Sequence, residues 1–289
     1  MKLSCVARVL ACLFGGRASL QQVTDFGYNP TNVKMYIYVP DTIKPNPEIL
    51  VAVHYCGGMA QAFFQNTPFA LLADQKGYIV IYPESPYGGT CWDVSSQATL
   101  THGGGGNSDS IANMVTYALD TYQGNPSKVF LFGVSSGAMM ANVMAATHPE
   151  LFNAIIAHSG VPAGCFVSAY NEVNGWNGTC ATGNVHNTPE VWATVAKNMY
   201  PGYYGARPRM MIVHGGADTT LHYNNYNETI KQWAGVFNIS TTPTETKPDT
   251  PEQGYTTYNW GTQLKGVYNP SYGHDIPIVA SDDMEFFGL

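Results

Sequence analysis

Lys128-Val129-Phe130-Leu131-Phe132-Gly133-Val134-Ser135-Ser136-Gly137-Ala138-Met139-Met140 is the stretch that decides the fold. Its first half is an almost unbroken apolar run, which suits a strand covered on both faces and hence a parallel sheet. Its second half passes through Gly-x-Ser-x-Gly directly into small, helix-forming residues. A strand that meets a helix so abruptly must turn sharply, and glycines on either side remove the side chains that would collide. Such a turn lifts the Ser135 hydroxyl clear of the sheet. It also puts the backbone N–H of Ser136 at the amino end of the new helix, where developing negative charge is favoured. Ser135 is the candidate nucleophile; a plain glycine-flanked turn is the alternative reading.

Outward from this stretch, strand-like and helix-like segments alternate without any internal repeat. VKMYIYV (33–39) has the period of a half-buried strand, whereas ILVAVHY (49–55), YIVIY (78–82), NAIIAHSG (153–160) and RMMIVHGG (209–216) read as buried ones. Helices are predicted over 68–77, 107–122, 136–150, 189–200 and 224–237. The Thr/Pro-rich stretch 241–254 reads as a surface loop, because too little chain follows it to build another core. The pattern predicts one α/β domain, a mostly parallel central sheet with helices on both faces.

A serine hydroxyl needs a base to become a nucleophile at neutral pH, and the base needs a carboxylate to orient it. On a sheet of this kind the chain order is Ser, acid, His. His274, in the Gly-rich loop Tyr272-Gly273-His274-Asp275, has the right position among eight histidines; His158 and His214 end strands and read as structural. Asp218 follows the strand 209–216 through Gly215-Gly216 and is the candidate acid, ahead of Asp249, Glu190 and Glu228. A second backbone donor to an oxyanion is expected from the turn after strand 49–55, at Cys56 with Gly57 as alternative. His102-Gly103-Gly104-Gly105-Gly106 lacks the Gly-Lys-Ser/Thr of a phosphate loop and reads as a flexible loop before a helix. His54 and Cys56 have no further ligands near them, so no metal site is expected.

Composition narrows the partners. The 289 residues are 45% apolar, 12% aromatic and only 11% charged, which excludes a disordered acidic chain. The formal charge of -7, with no basic stripe, excludes nucleic acid. No apolar run is long enough to span a bilayer. Abundant Tyr, Asn and Gly suit contact with neutral, hydroxyl-rich polymers, or are simply the polar surface of an exported protein.

Residues 1–18, with Lys2, Arg8, the apolar run Val9 to Phe14 and small Gly16 and Ala18, are expected to be a secretory signal, leaving 19–289 as the catalytic domain. N-glycosylation acceptors at Asn177, Asn227 and Asn238 point the same way. Of six cysteines, Cys5 and Cys12 would leave with the signal, and Cys56, Cys91, Cys165 and Cys180 could pair in three ways.

Several stretches carry a resemblance that goes well beyond the serine motif: LQQVTDFG (20–27), NPTNV (29–33), HYCGG (54–58), CWDVSSQATLTH (91–102), SSGAMM (135–140), MYPGY (199–203), DTTL (218–221), KQWAGVF (231–237) and GHDIP (273–277). With these the chain resembles the fungal acetylxylan esterases of carbohydrate esterase family 1, which are α/β-hydrolases related to feruloyl esterases. The resemblance implies a triad of Ser135, Asp218 and His274, backbone oxyanion donors at Cys56 and Ser136, and Trp92 as an aromatic lining the substrate cleft, with a core Trp beside a disulfide as the alternative. It further implies disulfides Cys56–Cys91 and Cys165–Cys180, and no cofactor. The expected function is deacetylation of acetylated xylan by a secreted monomer; feruloyl esterase, or a catalytically silent carbohydrate-binding protein, is the alternative. The residues Gly57 to Ala62 depart from the family pattern. No linker or binding module is recognised, so contact with polysaccharide is expected to fall to the catalytic domain.

Overall fold

The computed structural model describes residues 18–289; residues 1–17 of the expected signal segment, with Gly16, Cys5 and Cys12, lie outside the described residues. Ten strands form one sheet: β1 (Gln21–Val23), β2 (Lys34–Tyr38), β3 (Ile49–Val53), β4 (Ile79–Glu84), β5 (Val129–Val134), β6 (Ala154–His158), β7 (Arg209–Gly215), β8 (Glu245–Pro248), β9 (Thr256–Trp260) and β10 (Leu264–Asn269). Their order is β1-β2-β4-β3-β5-β6-β7-β10-β9-β8. From β4 through β10 the neighbours run parallel, and the pairs at either edge are antiparallel. The described residues also form eight α-helices: α1 (Ala60–Asn66), α2 (Phe69–Lys76), α3 (Asn107–Tyr122), α4 (Ser136–Thr147), α5 (Gly178–Ala181), α6 (Pro189–Lys197), α7 (Asn224–Phe237) and α8 (Ala280–Phe287).

The unbroken apolar runs are explained by two cores, one on each face of the sheet. Ile49, Val51, Val129 and Leu131 pack with Ile111, Met140 and Trp233 on the side of α3, α4 and α7. The alternate residues Leu50, Ala52, Phe130 and Phe132 pack with Phe63, Phe69 and Phe287 on the side of α1, α2 and α8. Successive side chains of a strand point to opposite faces, so both sets must be apolar when both faces are covered. Each buried Val, Leu, Ile, Met or Phe among them contributes about 1.5–3 kcal/mol relative to exposure.

The segment 241–254 is not entirely loop. Glu245–Pro248 pairs antiparallel with β9 as the last strand of the sheet, and all four residues are exposed. A strand with one neighbour and no core beneath it needs no apolar alternation, and it tolerates charge and proline. Its sequence therefore carries no strand signal. The glycine-rich loop before α3 is pinned rather than free: Gly103 and Gly105 donate their N–H groups to the Asp109 carboxylate at 3.1 and 2.7 Å.

Candidate active site

The carboxyl ends of β3, β5, β7 and β10 open on one edge of the sheet, where ligands of parallel α/β sheets bind. Ser135 sits between β5 and α4 with φ 56 and ψ -119, a conformation rarely tolerated by a side-chain-bearing residue. The turn is held by Ser135 N–H donating to His158 O at 2.9 Å and by Met139 N–H donating to Ser135 O at 3.0 Å. A Cβ on Gly133 would lie 2.1 Å from Gly137 O, and one on Gly137 would lie 2.2 Å from Val53 O. Both positions of the Gly-x-Ser-x-Gly string are thus dictated by backbone packed on backbone.

Loops from two other strands reach this serine. His274 Nε2 is 2.8 Å from Ser135 Oγ, and His274 Nδ1 is 2.8 Å from Asp218 Oδ2. Asp218 Oδ1 accepts the N–H groups of Thr220 and Leu221, each at 2.9 Å, which fixes the carboxylate plane. His214 Nε2 approaches Asp218 Oδ2 at 3.2 Å from beneath and lies 2.9 Å from Leu221 O. Burial alone would raise the Asp218 pKa. The hydrogen bonds from His214, His274 and Leu221 outweigh it and hold the carboxyl well below the usual range. Asp218 therefore faces the imidazole as an anion.

These groups open into a cleft of about 610 Å³ lined mainly by apolar surface, including Tyr55, Met139, Trp176 and Leu221. Cys56 and Ser136 both line it, Ser136 as the first residue of α4. Cys56 is bonded to Cys91, which ties the loop after β3 to the loop after β4; the second bridge is Cys165–Cys180. His54 is buried beside this turn, with Nδ1 2.7 Å from Tyr55 O and Nε2 accepting Ser85 N–H at 3.2 Å. That arrangement makes it a neutral structural ring, and burial lowers its pKa.

Trp92 is a correction. It is only 1% exposed, and its indole N–H donates to His54 O at 2.8 Å, so it braces the turn from behind and does not face the cleft. The aromatics that do face the cleft are Tyr55 and Trp176, the latter 62% exposed in the loop 171–177. Nothing in the apolar periodicity marks Trp176; an isolated large aromatic in a Gly/Asn-rich loop was the available signal.

A second group missed in the sequence stands behind the Trp176 loop. Asp93 Oδ1 accepts the N–H groups of Ser95, Ser96 and Asn174 at 3.1, 3.1 and 3.0 Å, and Thr99 Oγ1 donates to Asp93 Oδ2 at 2.8 Å. Ser95 Oγ donates to Glu172 O and accepts Gly175 N–H, both at 2.7 Å. The acceptor Asn177 caps α5, its Nδ2 donating to Cys165 O at 3.2 Å, whereas Asn227 and Asn238 are exposed.

Residues 34–246 match the family described as esterase PHB depolymerase. The chain is 59% identical over 272 residues to a probable acetylxylan esterase A of Aspergillus fumigatus, covering 94% of this chain and 73% of that one. It is equally 59% identical over 272 residues to acetylxylan esterase A of Talaromyces purpureogenus, with 94% and 71% covered. The solved acetyl xylan esterase from Aspergillus awamori superposes with a TM-score of 0.93 at 59% identity, over 93% of this chain and 99% of that one. A feruloyl esterase module from Clostridium thermocellum shares the fold, with a TM-score of 0.55 at 14% identity over 89% of this chain and 82% of that one. An α/β-hydrolase scaffold, an extended match to one family profile and this level of identity together make the chain a member of the esterase PHB depolymerase family, among its acetylxylan esterases.

Proposed function

We propose that this protein is a secreted serine esterase that removes acetyl groups from acetylated xylan through an acyl-enzyme. The observation that carries the reading is the hydrogen-bonded row Ser135 Oγ, His274, Asp218, with both contacts at 2.8 Å. Ser135 Oγ attacks the acetyl carbonyl while His274 Nε2 takes the hydroxyl proton. Asp218 holds the Nδ1–H tautomer and stabilises the imidazolium that forms. The carbonyl oxygen becomes an anion facing the N–H groups of Cys56 and Ser136, each such donor contributing about 3–4 kcal/mol in comparable sites. Collapse breaks the ester C–O bond, and His274 returns its proton to the departing sugar hydroxyl. Water then attacks the acetyl-serine with His274 again as base, releasing acetate and restoring Ser135.

The relatives' names favour the acetyl ester over the feruloyl ester, and a triad with short contacts disfavours a silent binding protein. Export is supported by two disulfides and by exposed acceptors at Asn227 and Asn238. Ser135→Ala tests the catalytic reading. It should lower 4-nitrophenyl acetate turnover and acetate release from acetylated xylan by about 10,000-fold or more, with an unchanged circular dichroism spectrum. Near-native turnover by the folded variant would remove Ser135 from the mechanism.

A further inference from the structure

A second groove, of about 530 Å³, lies between the amino-terminal half of α7 and the strands β9 and β10. The rings of Tyr223, Tyr258, Trp260 and Tyr268 line it, and Asn224, Asn227 and Thr241 stand among them. Its charged wall residues, Glu228 and Lys231, are committed to each other at 2.6 Å. Glu228 also accepts Asn187 N–H at 3.1 Å and the Trp192 indole N–H at 2.8 Å. The third titratable wall residue, His186, is exposed, with Nδ1 3.7 Å from Glu228 Oε1, so among the described residues the wall offers an ionic ligand no carboxylate or ammonium that is not already paired. Asn224 Nδ2 already donates to Gly183 O at 2.9 Å, but a wholly apolar ligand would cover the Asn227 amide and the Thr241 hydroxyl without giving them a partner, which costs free energy. A pyranose meets both demands: its C–H face packs on aromatic rings and its hydroxyl edge pairs with amide and hydroxyl groups.

The groove is joined to the catalytic cleft by one short segment. Thr220 and Leu221 line the cleft, and Tyr223 and Asn224 line the groove. That segment is fixed at both ends, by Leu221 N–H on Asp218 Oδ1 at 2.9 Å and by His222 N–H on Ala181 O at 2.8 Å. Thr220 in the cleft wall and Tyr223 in the groove wall are thus three positions apart along a pinned segment.

We propose that this groove is a non-catalytic binding site for a neutral saccharide segment of the polymer whose acetyl esters enter the cleft. The identity of the polymer rests on the function proposed above; the saccharide site itself does not. Holding the chain there raises the local concentration of acetyl groups at Ser135.

The test uses enzyme whose Ser135 has been blocked with phenylmethanesulfonyl fluoride, titrated with unacetylated xylohexaose. The blocked enzyme should bind the sugar, and Tyr223→Ala/Tyr258→Ala protein should bind it about tenfold more weakly or worse. The same variant, unblocked, should hydrolyse 4-nitrophenyl acetate at the wild-type rate, and Tyr223→Phe/Tyr258→Phe, which keeps both ring faces, should retain binding. No binding by blocked native enzyme, or equal binding by the alanine variant, overturns the proposal. Asn227 is both a wall residue and a glycan acceptor, so Asn227→Gln protein is titrated alongside. Binding by Asn227→Gln but not by glycosylated enzyme would assign the groove to the protein's own glycan and overturn the polymer assignment. An active Ser135→Ala variant would sink the catalytic reading alone and leave these binding outcomes intact.

Discussion

Asp218 Oδ2 faces His274 Nδ1 at 2.8 Å and His214 Nε2 at 3.2 Å, and Oδ1 accepts two backbone N–H groups. An amide cannot replace it without turning its own N–H group toward donors. Asp218→Asn should therefore force His274 toward the wrong tautomer and lower kcat by about 10,000-fold with little change in KM. Steady-state kinetics on 4-nitrophenyl acetate check this, and a loss under about tenfold would contradict it. The hydrogen-bonded candidates Ser135, Asp218 and His274 could be picked out in the sequence because each follows a buried strand or sits in a glycine-rich loop, in the chain order such sheets require. Trp92 was misread for an equally physical reason. Its neighbours in sequence, a disulfide cysteine and a polar turn, are compatible with either side of that turn, and only packing against His54 decides which side the indole takes.

At the scale of elements, the cleft is built from segments that have no regular structure of their own. The loop bearing Trp176 is tied to the loop after Cys91 by Asp93 and Ser95, which serve backbone N–H and C=O groups that no helix or strand satisfies. Ser95→Ala removes the donor to Glu172 and the acceptor for Gly175, loosening the Trp176 wall without touching the triad. The expected result is a several-fold rise in KM for acetylated xylo-oligosaccharide, with kcat for 4-nitrophenyl acetate within about twofold of wild type. Equal losses of kcat on both substrates would show that the triad itself had moved. Asp93 and Ser95 were illegible in the sequence because their partners lie about 80 positions away, with separations of 81 and 80 residues to Asn174 and Gly175. The edge strand β8 was missed for the opposite reason: being wholly exposed, it leaves no apolar trace.

For the whole molecule, acid stability is set by a handful of buried carboxyl groups. Burial would raise the pKa of Asp93, Asp109, Asp218 and Glu228, but hydrogen bonds and charged or polar partners outweigh it, and each is lowered. A lowered group binds its proton less readily folded than unfolded, so its stabilisation is full above the unfolded pKa near about 4 and is lost as pH falls below it. Asp283, buried against His158, is raised by burial, so its contribution has the opposite sign and is lost as pH rises. With four groups against one, the melting temperature should hold between pH 7 and about 5 and fall steeply below about 4. Calorimetry across that range checks it; a flat profile down to pH 3 would show that these carboxyl groups do not govern stability.

The division between what the chain announces and what folding decides follows the range of the forces involved. Apolar period, glycine at a forced turn and the order of Ser135, Asp218 and His274 are local or sequential properties, so the linear text alone determined the α/β class, the central sheet and the candidate triad. Which aromatic faces the cleft, which loop braces it, and that Tyr223, Tyr258 and Tyr268 converge on one groove depend on contacts between distant segments. Only burial and close packing in three dimensions set those, because the same side chain is structural or exposed according to what folds against it.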